Sequence, residues 1–328
     1  MVKPGNLMPS RKRQITCAIA LLALLLARCS SPPSATGPRT TIPAATKLPA
    51  IRVGAWNVEW LGLPERRSGP AQNQPRTPEN LAEYILAANV DVLGLEEVRF
   101  DADDGSDTNT LLAAALKIVD QQSGGHWQHR LFPTRYGRDQ CCGIAWNASR
   151  VTLVDGPRIV TDPGTRSSQG KTLWSRPPRG VLFSAGQGLT DFVVIVVHMK
   201  ADYEGDFAPQ RAEEAQHLVD DLPDAFADPD VLIIGDTNCG THTEPAITTL
   251  TVAGFVDLNE HDLPTHWRYG ALDRAFVPAD QPEFARRYFE VLRDSFLAAH
   301  HQTLDLFKVN YSDHFMVLTE IDVLPDDD

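Results

Sequence analysis

The sequence predicts an α/β protein, a four-layer α/β/β/α sandwich in which two mixed sheets pack face to face with helices outside. Three observations lead there. Unbroken apolar, β-branched runs such as residues 231–234 (VLII) and 192–197 read as strands buried on both faces, and a strand buried twice needs a layer on each side. The strands fall into two groups, with helical patterns before and between them. Six of these strands also end in, or carry, an Asn, Asp, Glu or His, so one edge of the sandwich collects polar chemistry. The mixed order leaves a single Rossmann-like sheet or a barrel open, although no Gly-rich phosphate fingerprint follows the first strand.

The first strand, 51–58, ends around Asn57, and a Pro-, Gly- and Arg-rich loop follows at 63–76. Thr77 then caps a helix with Pro78 in its first turn, which runs to about Asn89 with Leu81, Ile85 and Leu86 on one face. The strand at 90–95 ends at Glu97. The acidic loop 101–107 (DADDGSD) leads into a helix over about 108–122; no Glu follows where a calcium loop requires one, so helix capping is the reading. Short strands are predicted at 128–132, 143–147, 151–160, 180–184 and 192–198, the last delivering His198 and Lys200. Pro209 opens a helix to about Leu222, with Ala215, Leu218 and Val219 inward. After the central strand Gly235 lets the backbone leave sharply, presenting Asp236 and Asn238, residues that also suit an ordinary turn. A helix at 245–252, a strand at 272–277 carrying Asp273, and a long amphipathic helix at 282–299 bearing Phe284, Tyr288, Leu292 and Phe296 follow. Ser312, Asp313 and His314 precede the last strand, 315–321.

The first fifty residues have a different character. Arg11, Lys12 and Arg13 precede an apolar run at 15–27, too short to span a bilayer and shaped like a secretory signal. Leu26, Ala27 and Arg28 before Cys29 are similar to a lipoprotein cleavage box, with Cys29 as the lipidated residue, although Arg28 departs from the small residue expected there. The expectation is residues 1–29 as a signal peptide of lipoprotein type, 30–50 as a flexible Ser-, Thr- and Pro-rich linker, and 51–328 as one catalytic domain, exported to a bacterial cell envelope or secreted. The formal charge is −13, and removing residues 1–28 takes away five cations and no acid. Such acidity argues against tight, unspecific nucleic-acid binding, while leaving room for a local basic groove. Cys141, Cys142 and Cys239 are open to two readings, a disulfide from Cys239 to one of the pair or three buried free thiols.

An Asn, a Glu, several Asp and two His on strand ends suit a hard divalent cation such as Mg²⁺, which takes carboxylate oxygens and keeps waters for a substrate phosphate. Two imidazoles can stabilise or protonate oxygens around phosphorus, and an Asp beside a His fixes its tautomer. Zinc fits less well, because His198 and His314 have no second ligand at the usual spacing.

Taken in order, AWNVEWL, LGLEEV, VVHMKA, IIGDTN, LDRAFV and SDHFMV give the chain a resemblance to the endonuclease/exonuclease/phosphatase superfamily, which has the deoxyribonuclease I-like fold, over most of residues 51–321. The resemblance implies that Asn57 and Glu97, with Asp313, serve the metal; Glu96 is the alternative ligand, since neighbours on a strand face opposite ways. It implies that His198, Asp236, Asn238, Asp273 and His314 are catalytic, Asp236 and Asn238 on the attacking water and Asp273 orienting His314. Mg²⁺ is the implied cofactor, with Mn²⁺ or Ca²⁺ as substitutes. His242, His266, His300 and His301 match nothing in the family and read as surface or packing residues.

The substrate is less legible. Residues 157–180 hold five cations, Arg179 among them, against Asp162 alone. With Arg130, Arg135, Arg138, Tyr136 and Trp174 they suggest a groove for a nucleic-acid backbone with stacking, or else scattered solubilising charge. Lys200, Arg138, Arg179 and Trp174 are the predicted substrate contacts. A monomeric endonuclease acting on DNA before RNA, touching membrane only through Cys29, is the first reading. The alternative is a phosphatase or phospholipase C-type hydrolase of inositol phosphates or sphingomyelin, and an inactive scaffold comes last because every expected catalytic position is filled.

Overall fold

Apolar runs, the central ones buried on both faces, and short turns produce twelve strands in a computed structural model of the chain, which describes residues 50–101, 108–134, 137–202 and 205–326, without the side chains of 137 and 138. The strands are β1 (Ala50–Leu61), β2 (Val92–Val98), β3 (Trp127–Thr134), β4 (Gly137–Asn147), β5 (Thr152–Ile159), β6 (Arg179–Ser184), β7 (Asp191–His198), β8 (Val231–Asp236), β9 (Phe255–Asp257), β10 (Asp273–Pro278), β11 (Glu290–Val291) and β12 (Val317–Asp322). The helices are α1 (Pro78–Ala88), α2 (Thr110–Ser123), α3 (Ala208–Ala225), α4 (Pro245–Val252), α5 (Asp294–Ala299) and α6 (Leu304–Asn310). Residues 1–49, Cys29 included, residues 102–107, Arg135, Tyr136 and the Arg138 side chain, for which the sequence carries expectations, lie outside the described residues.

One sheet runs β11-β12-β1-β2-β4-β3 and the other β5-β6-β7-β8-β10-β9. Alternate side chains of each sheet face inward, Val53, Ala55 and Ile144 from the first meeting Val194, Val196, Leu232 and Ile234 from the second. Outward-facing Trp56, Leu93 and Leu95 are covered by α1 and α2, and Ile195, Ile233 and Phe276 by α3 and α4. That is the expected four-layer sandwich of two mixed sheets. The first helix, α1, begins where its sequence says. The Thr77 side chain accepts from Asn80 N, and Asn89 closes α1 in the left-handed conformation.

Two parallel pairs place the functional edge. β1 and β2 are parallel, as are β7 and β8, so both pairs finish on the same side of their sheets. In the second sheet His198 pairs with Asp236, and Asp236 with Asp273 of antiparallel β10, giving three polar residues in one row. Gly235 sits at φ +138°, where an added Cβ would stand 2.3 Å from Val197 O, so only glycine lets β8 turn there.

One expectation of the fold is corrected. Residues 282–299 do not form one helix: a short turn at 282–284 and β11 precede α5, and Arg287 adopts φ 46°. The four-residue apolar spacing matches a helix, but Phe284 enters the layer between the sheets and Leu292 the outer layer, while Glu290 and Val291 pair with β12. Of the two readings of Cys141, Cys142 and Cys239, the free thiols hold: among the described residues the three are free and buried, one in each core layer.

Candidate active site at the strand ends

The strand ends gather the polar residues by distorting the backbone locally. β2 slips register between Leu95 and Val98, and Glu97 takes φ 60°. Such a bulge re-aims a side chain. Glu97 turns toward Asn57, whose Nδ2 lies 3.4 Å from its Oε1, and toward Trp60 N, 3.1 Å from its Oε2. Glu96 points into the protein instead, fully buried, with neither carboxylate oxygen hydrogen-bonded among the described residues. Burial, reinforced by Asp273 and Asp236, raises its pKa well above the usual carboxylate range.

Asp236 is the hub. Its Oδ2 accepts from Asn57 Nδ2 at 3.0 Å and its Oδ1 from Asn238 N at 2.9 Å. His198 Nε2 lies 3.6 Å and His314 Nε2 3.8 Å from Oδ2, so two imidazole edges converge on one carboxylate oxygen. Burial pushes Asp236 up to about 7, against the pull of His314 and the two hydrogen bonds. Asn238 sits at φ 53° and anchors its amide nitrogen on Met199 O at 3.0 Å, which leaves its side-chain oxygen toward solvent or ligand.

The two imidazoles have opposite charge states. His314 Nδ1 donates to Asp273 Oδ2 at 2.8 Å; burial works to strip its proton, but Asp273 and Asp236 outweigh burial and hold its pKa well above 6.5. His198 Nδ1 is buried with no hydrogen bond among the described residues, and burial, Arg176 and His314 together hold the imidazole well below 6.5. One is an imidazolium and the other a neutral ring. Thr265 Oγ1 donates to Asp273 Oδ2 at 2.6 Å and accepts from Asp273 N, fixing the carboxylate that fixes His314.

Asp313 lies apart from this hub. Its Oδ2 is 2.9 Å from Lys308 Nζ and 3.7 Å from His266 Nε2, and burial, which works upward, is overcome by His266, His314 and Lys308, which hold it well below the usual range. His266 is a correction: expected at the surface or in packing, it stands beside His314, with ring centroids 4.7 Å apart. Its Nδ1 accepts from Arg268 N and Tyr269 N, so its proton sits on Nε2, facing Asp313. The signal was present in the stretch from Thr265 to Asp273, whose threonine reaches Asp273 directly. His242 and His300 do sit at the surface, paired with Asp262 and Glu83.

The predicted substrate contacts fare unevenly. Trp174 is corrected: it is 1% exposed and packs in the core layer under α3 with Leu173 and Met199, out of reach of any ligand. The Lys200 ammonium lies over Phe207, 4.8 Å from the ring centroid, and Arg179 rests against Phe132 and Pro133 O. Arg176, counted only as part of a basic run, is at the site, donating to His198 O, Met199 O and Gln140 Oε1. With Trp60, Arg66, Gln140 and Ser175 it lines a cleft of 230 Å³ beside Glu97, where the Arg66 guanidinium sits 5.7 Å from the Trp60 ring centroid.

The donors fit a hard divalent cation. Glu97, raised by burial and by Asp313 against the pull of Arg176, His314 and the Asn57 hydrogen bond, offers a carboxylate beside that of Asp236, while Asn57 turns its amide nitrogen to both and accepts from Glu59 N with its oxygen. Two further sets bring ligand atoms within 4.8 Å of one another, His266 with Asp313 and His314, and Asp236 with Asp273 and His314.

A fold of two mixed sheets with helices on both faces, and carboxylates, amides and a charged His–Asp pair at its strand ends, defines a class of phosphoester hydrolases. The family model described as Endonuclease/Exonuclease/phosphatase family matches residues 54–314, and the chain belongs to that family. The solved structures it resembles include the human Nocturnin catalytic domain with bound sulfate, at 17% identity over 84% of this chain and 94% of that one with a TM-score of 0.56. A mannosyl-6-phosphatase of Bacteroides thetaiotaomicron aligns at 16% identity over 84% and 99%, TM-score 0.52. D. rerio TDP2 complexed with a single-strand DNA product aligns at 14% over 83% and 98%, TM-score 0.50. At these identities the likeness is one of fold. No match is found among curated proteins.

Proposed function

We propose that the protein is an exported, divalent-metal-dependent phosphodiesterase that cleaves DNA endonucleolytically by in-line attack of water. The observation that carries the chemistry is the split of charge between the two imidazoles around Asp236. A carboxylate poised at about 7 is a general base matched to neutral pH. Asp236, steadied by Asn57 and Asn238 N, takes the proton of the attacking water, and the free side-chain oxygen of Asn238 orients it. His314, charged and held by Asp273, donates its Nε2 proton to the leaving oxygen. Neutral His198 offers an Nε2–H to a phosphoryl oxygen without adding a second full charge, and Arg176 brings one from the cleft side. A divalent cation, Mg²⁺ by the hardness of the carboxylate donors, would be held by Glu97, with Asn57 hydrogen-bonded beside it, and would supply neutralisation of charge building on the phosphorus oxygens.

For the substrate, support comes from the 230 Å³ cleft, with Arg66 on Trp60 facing Arg176. Two guanidiniums and an aromatic edge beside the hydrolytic centre suit a neighbouring phosphate and base of a nucleic acid. The same small volume supports a second reading, a phosphatase for a phosphorylated sugar or inositol. The apolar run at 15–27 and Cys29 support export and a lipid anchor.

Purified protein with Mg²⁺ is expected to nick plasmid DNA faster than it releases phosphate from inositol phosphates or phosphocholine from sphingomyelin. Phosphate release from small monoesters with intact plasmid would overturn the nuclease reading in favour of the second.

A further inference from the structure

Among the described residues Tyr269 is the one exposed aromatic side chain, 69% open to solvent, and its ring is not free to wander. It stacks on His266 with centroids 4.7 Å and planes 27° apart, and His266 in turn meets His314 edge-on. A tight hairpin fixes this stack. Thr265 N and His266 N donate to Gly270 O, Arg268 N and Tyr269 N to His266 Nδ1, and Trp267 N to Asp313 O. Single exposed apolar residues are ordinary on a protein surface. One whose ring is already set in place, beside a neighbour of the proposed acid, loses little freedom when a ligand covers it.

Arg268 continues this surface. Exposed and without an ion pair among the described residues, its guanidinium lies 3.9 Å from the ring centroid of Trp267, which rests against Gly69. The order of the strands puts the hairpin across the site from the 230 Å³ cleft. It precedes β10 and bridges to His314, just before β12, whereas Gln140 and Arg176 come from β4 and from the chain entering β6. Between these two sides run β1 and β8, with Asn57 and Asp236 at their ends. Each side thus carries an arginine over a tryptophan, Arg66 on Trp60 and Arg268 on Trp267, but the open ring lies on the His314 side.

We propose that Tyr269 and Arg268 form the subsite for the leaving side of a nucleic-acid strand, the base of the leaving nucleoside stacking on Tyr269 and the phosphate beyond it pairing with Arg268. A ring face followed by a guanidinium matches the repeat of base and phosphate along a strand. A sugar monophosphate, its one phosphate held at Asp236, would leave Arg268 unused. The inference rests on the nuclease reading of the site and adds the face on which the strand is gripped.

Short single-stranded oligonucleotides with one cleavable linkage, carrying either a base or an abasic residue on the leaving side, test it. With Mg²⁺ the unaltered protein should lose about tenfold or more in kcat/KM when that base is absent, the size expected of one base on an aromatic ring. Tyr269→Ala should lose as much on the base-bearing substrate and far less on the abasic one, and Tyr269→Phe should restore the discrimination. Arg268→Ala should flatten the slope of log kcat/KM against log salt by about 0.7, one phosphate contact on a single strand. No discrimination in the unaltered protein, or an equal loss from Tyr269→Ala on both substrates, overturns the subsite and leaves the nuclease reading standing. Cleavage of neither oligonucleotide, with turnover of phosphate monoesters, overturns both. Should Tyr269→Ala fail to unfold cooperatively, Tyr269→Leu, which keeps apolar bulk on His266 and offers no ring face, takes its place.

Discussion

Replacing Asp273 with Asn tests the acid half of the proposed chemistry while keeping the shape of the side chain. In the native site Asp273 Oδ2 takes both the His314 Nδ1 proton and the Thr265 hydroxyl, and Asp273 Oδ1 is buried with no hydrogen bond among the described residues. An Asn amide has a cost in either orientation. With its oxygen toward His314 it buries an unsatisfied NH₂, and with its nitrogen there it forces the imidazole into the wrong tautomer. Loss of a proton donor costs about 10²-fold or more, and loss of the tautomer in the Ser–His–Asp template about 10⁴-fold. At 1.36 kcal/mol per tenfold that is about 3–5 kcal/mol of barrier. The sign with pH follows from the cause. Asp273 and Asp236 raise His314, so the native imidazolium survives well above 6.5; without the Asp273 charge it is lost at lower pH, and the alkaline limb of kcat moves down. The assay is kcat against pH for Mg²⁺-dependent cleavage of DNA and of bis-p-nitrophenyl phosphate. DNA has a poor alkoxide leaving group and should suffer the full loss, whereas p-nitrophenolate leaves with little need of a proton. Equal losses on the two substrates together with an unmoved alkaline limb would refute the assignment of His314 as acid.

Three other outcomes are expected. Arg176→Ala should raise KM for DNA about tenfold or more by removing a guanidinium from the cleft, and should let the His198 pKa climb, visible by NMR of the imidazole, because Arg176 is one of the groups depressing it. Gly235→Ala should lower Tm sharply, by a loss of about 2–4 kcal/mol, since the Cβ would meet backbone at Val197 and no small rotation of β8 relieves φ +138°. Glu214, which accepts from Lys200 N, is pushed up to about 8 by burial, from about 4.3 in an unfolded chain. Its neutral form favours the fold below the unfolded value, and that contribution is lost as pH rises through 8. Glu214→Gln should therefore gain stability relative to the parent as calorimetry moves from acid to alkaline pH, and a constant gap across that range would contradict the burial argument.

What could be read from the sequence follows the strands. A residue at the end of a doubly buried strand is positioned by the strand itself, so His198, Asp236 and Asp273, in one row of the second sheet, and Asn57, on β1 of the first sheet, could be placed from short local patterns. Glu97 against Glu96 was the ambiguous step, because the alternation that separates them is broken by a bulge that no local pattern announces. Residues 282–299 misled for a related reason. Apolar side chains four apart satisfy a helix, but here Phe284 enters the layer between the sheets and Leu292 and Phe296 the outer layer, and edge pairing of Glu290 and Val291 with β12 overrides the spacing. Trp174 misled because a tryptophan amid arginines looks like a stacking platform, whereas Leu173 beside it marks a turn of chain going under α3.

The residues that escaped sequence reading are delivered by loops, and their placement depends on partners far away in the chain. His266 needs the bridge to His314 and the carbonyl of Asp313, which accepts from Trp267 N at 2.6 Å. Lys308 needs Glu59, nearly the whole domain away in sequence, and Arg67 and Arg76 to hold the helix that carries it. Such a network costs desolvation and adds little net stability; what it supplies is a fixed distribution of charge. Strand ends decide which groups meet, and the buried cation behind them, Lys308 against Glu59 and Asp313, holds the Asp313 carboxylate in place beside the site.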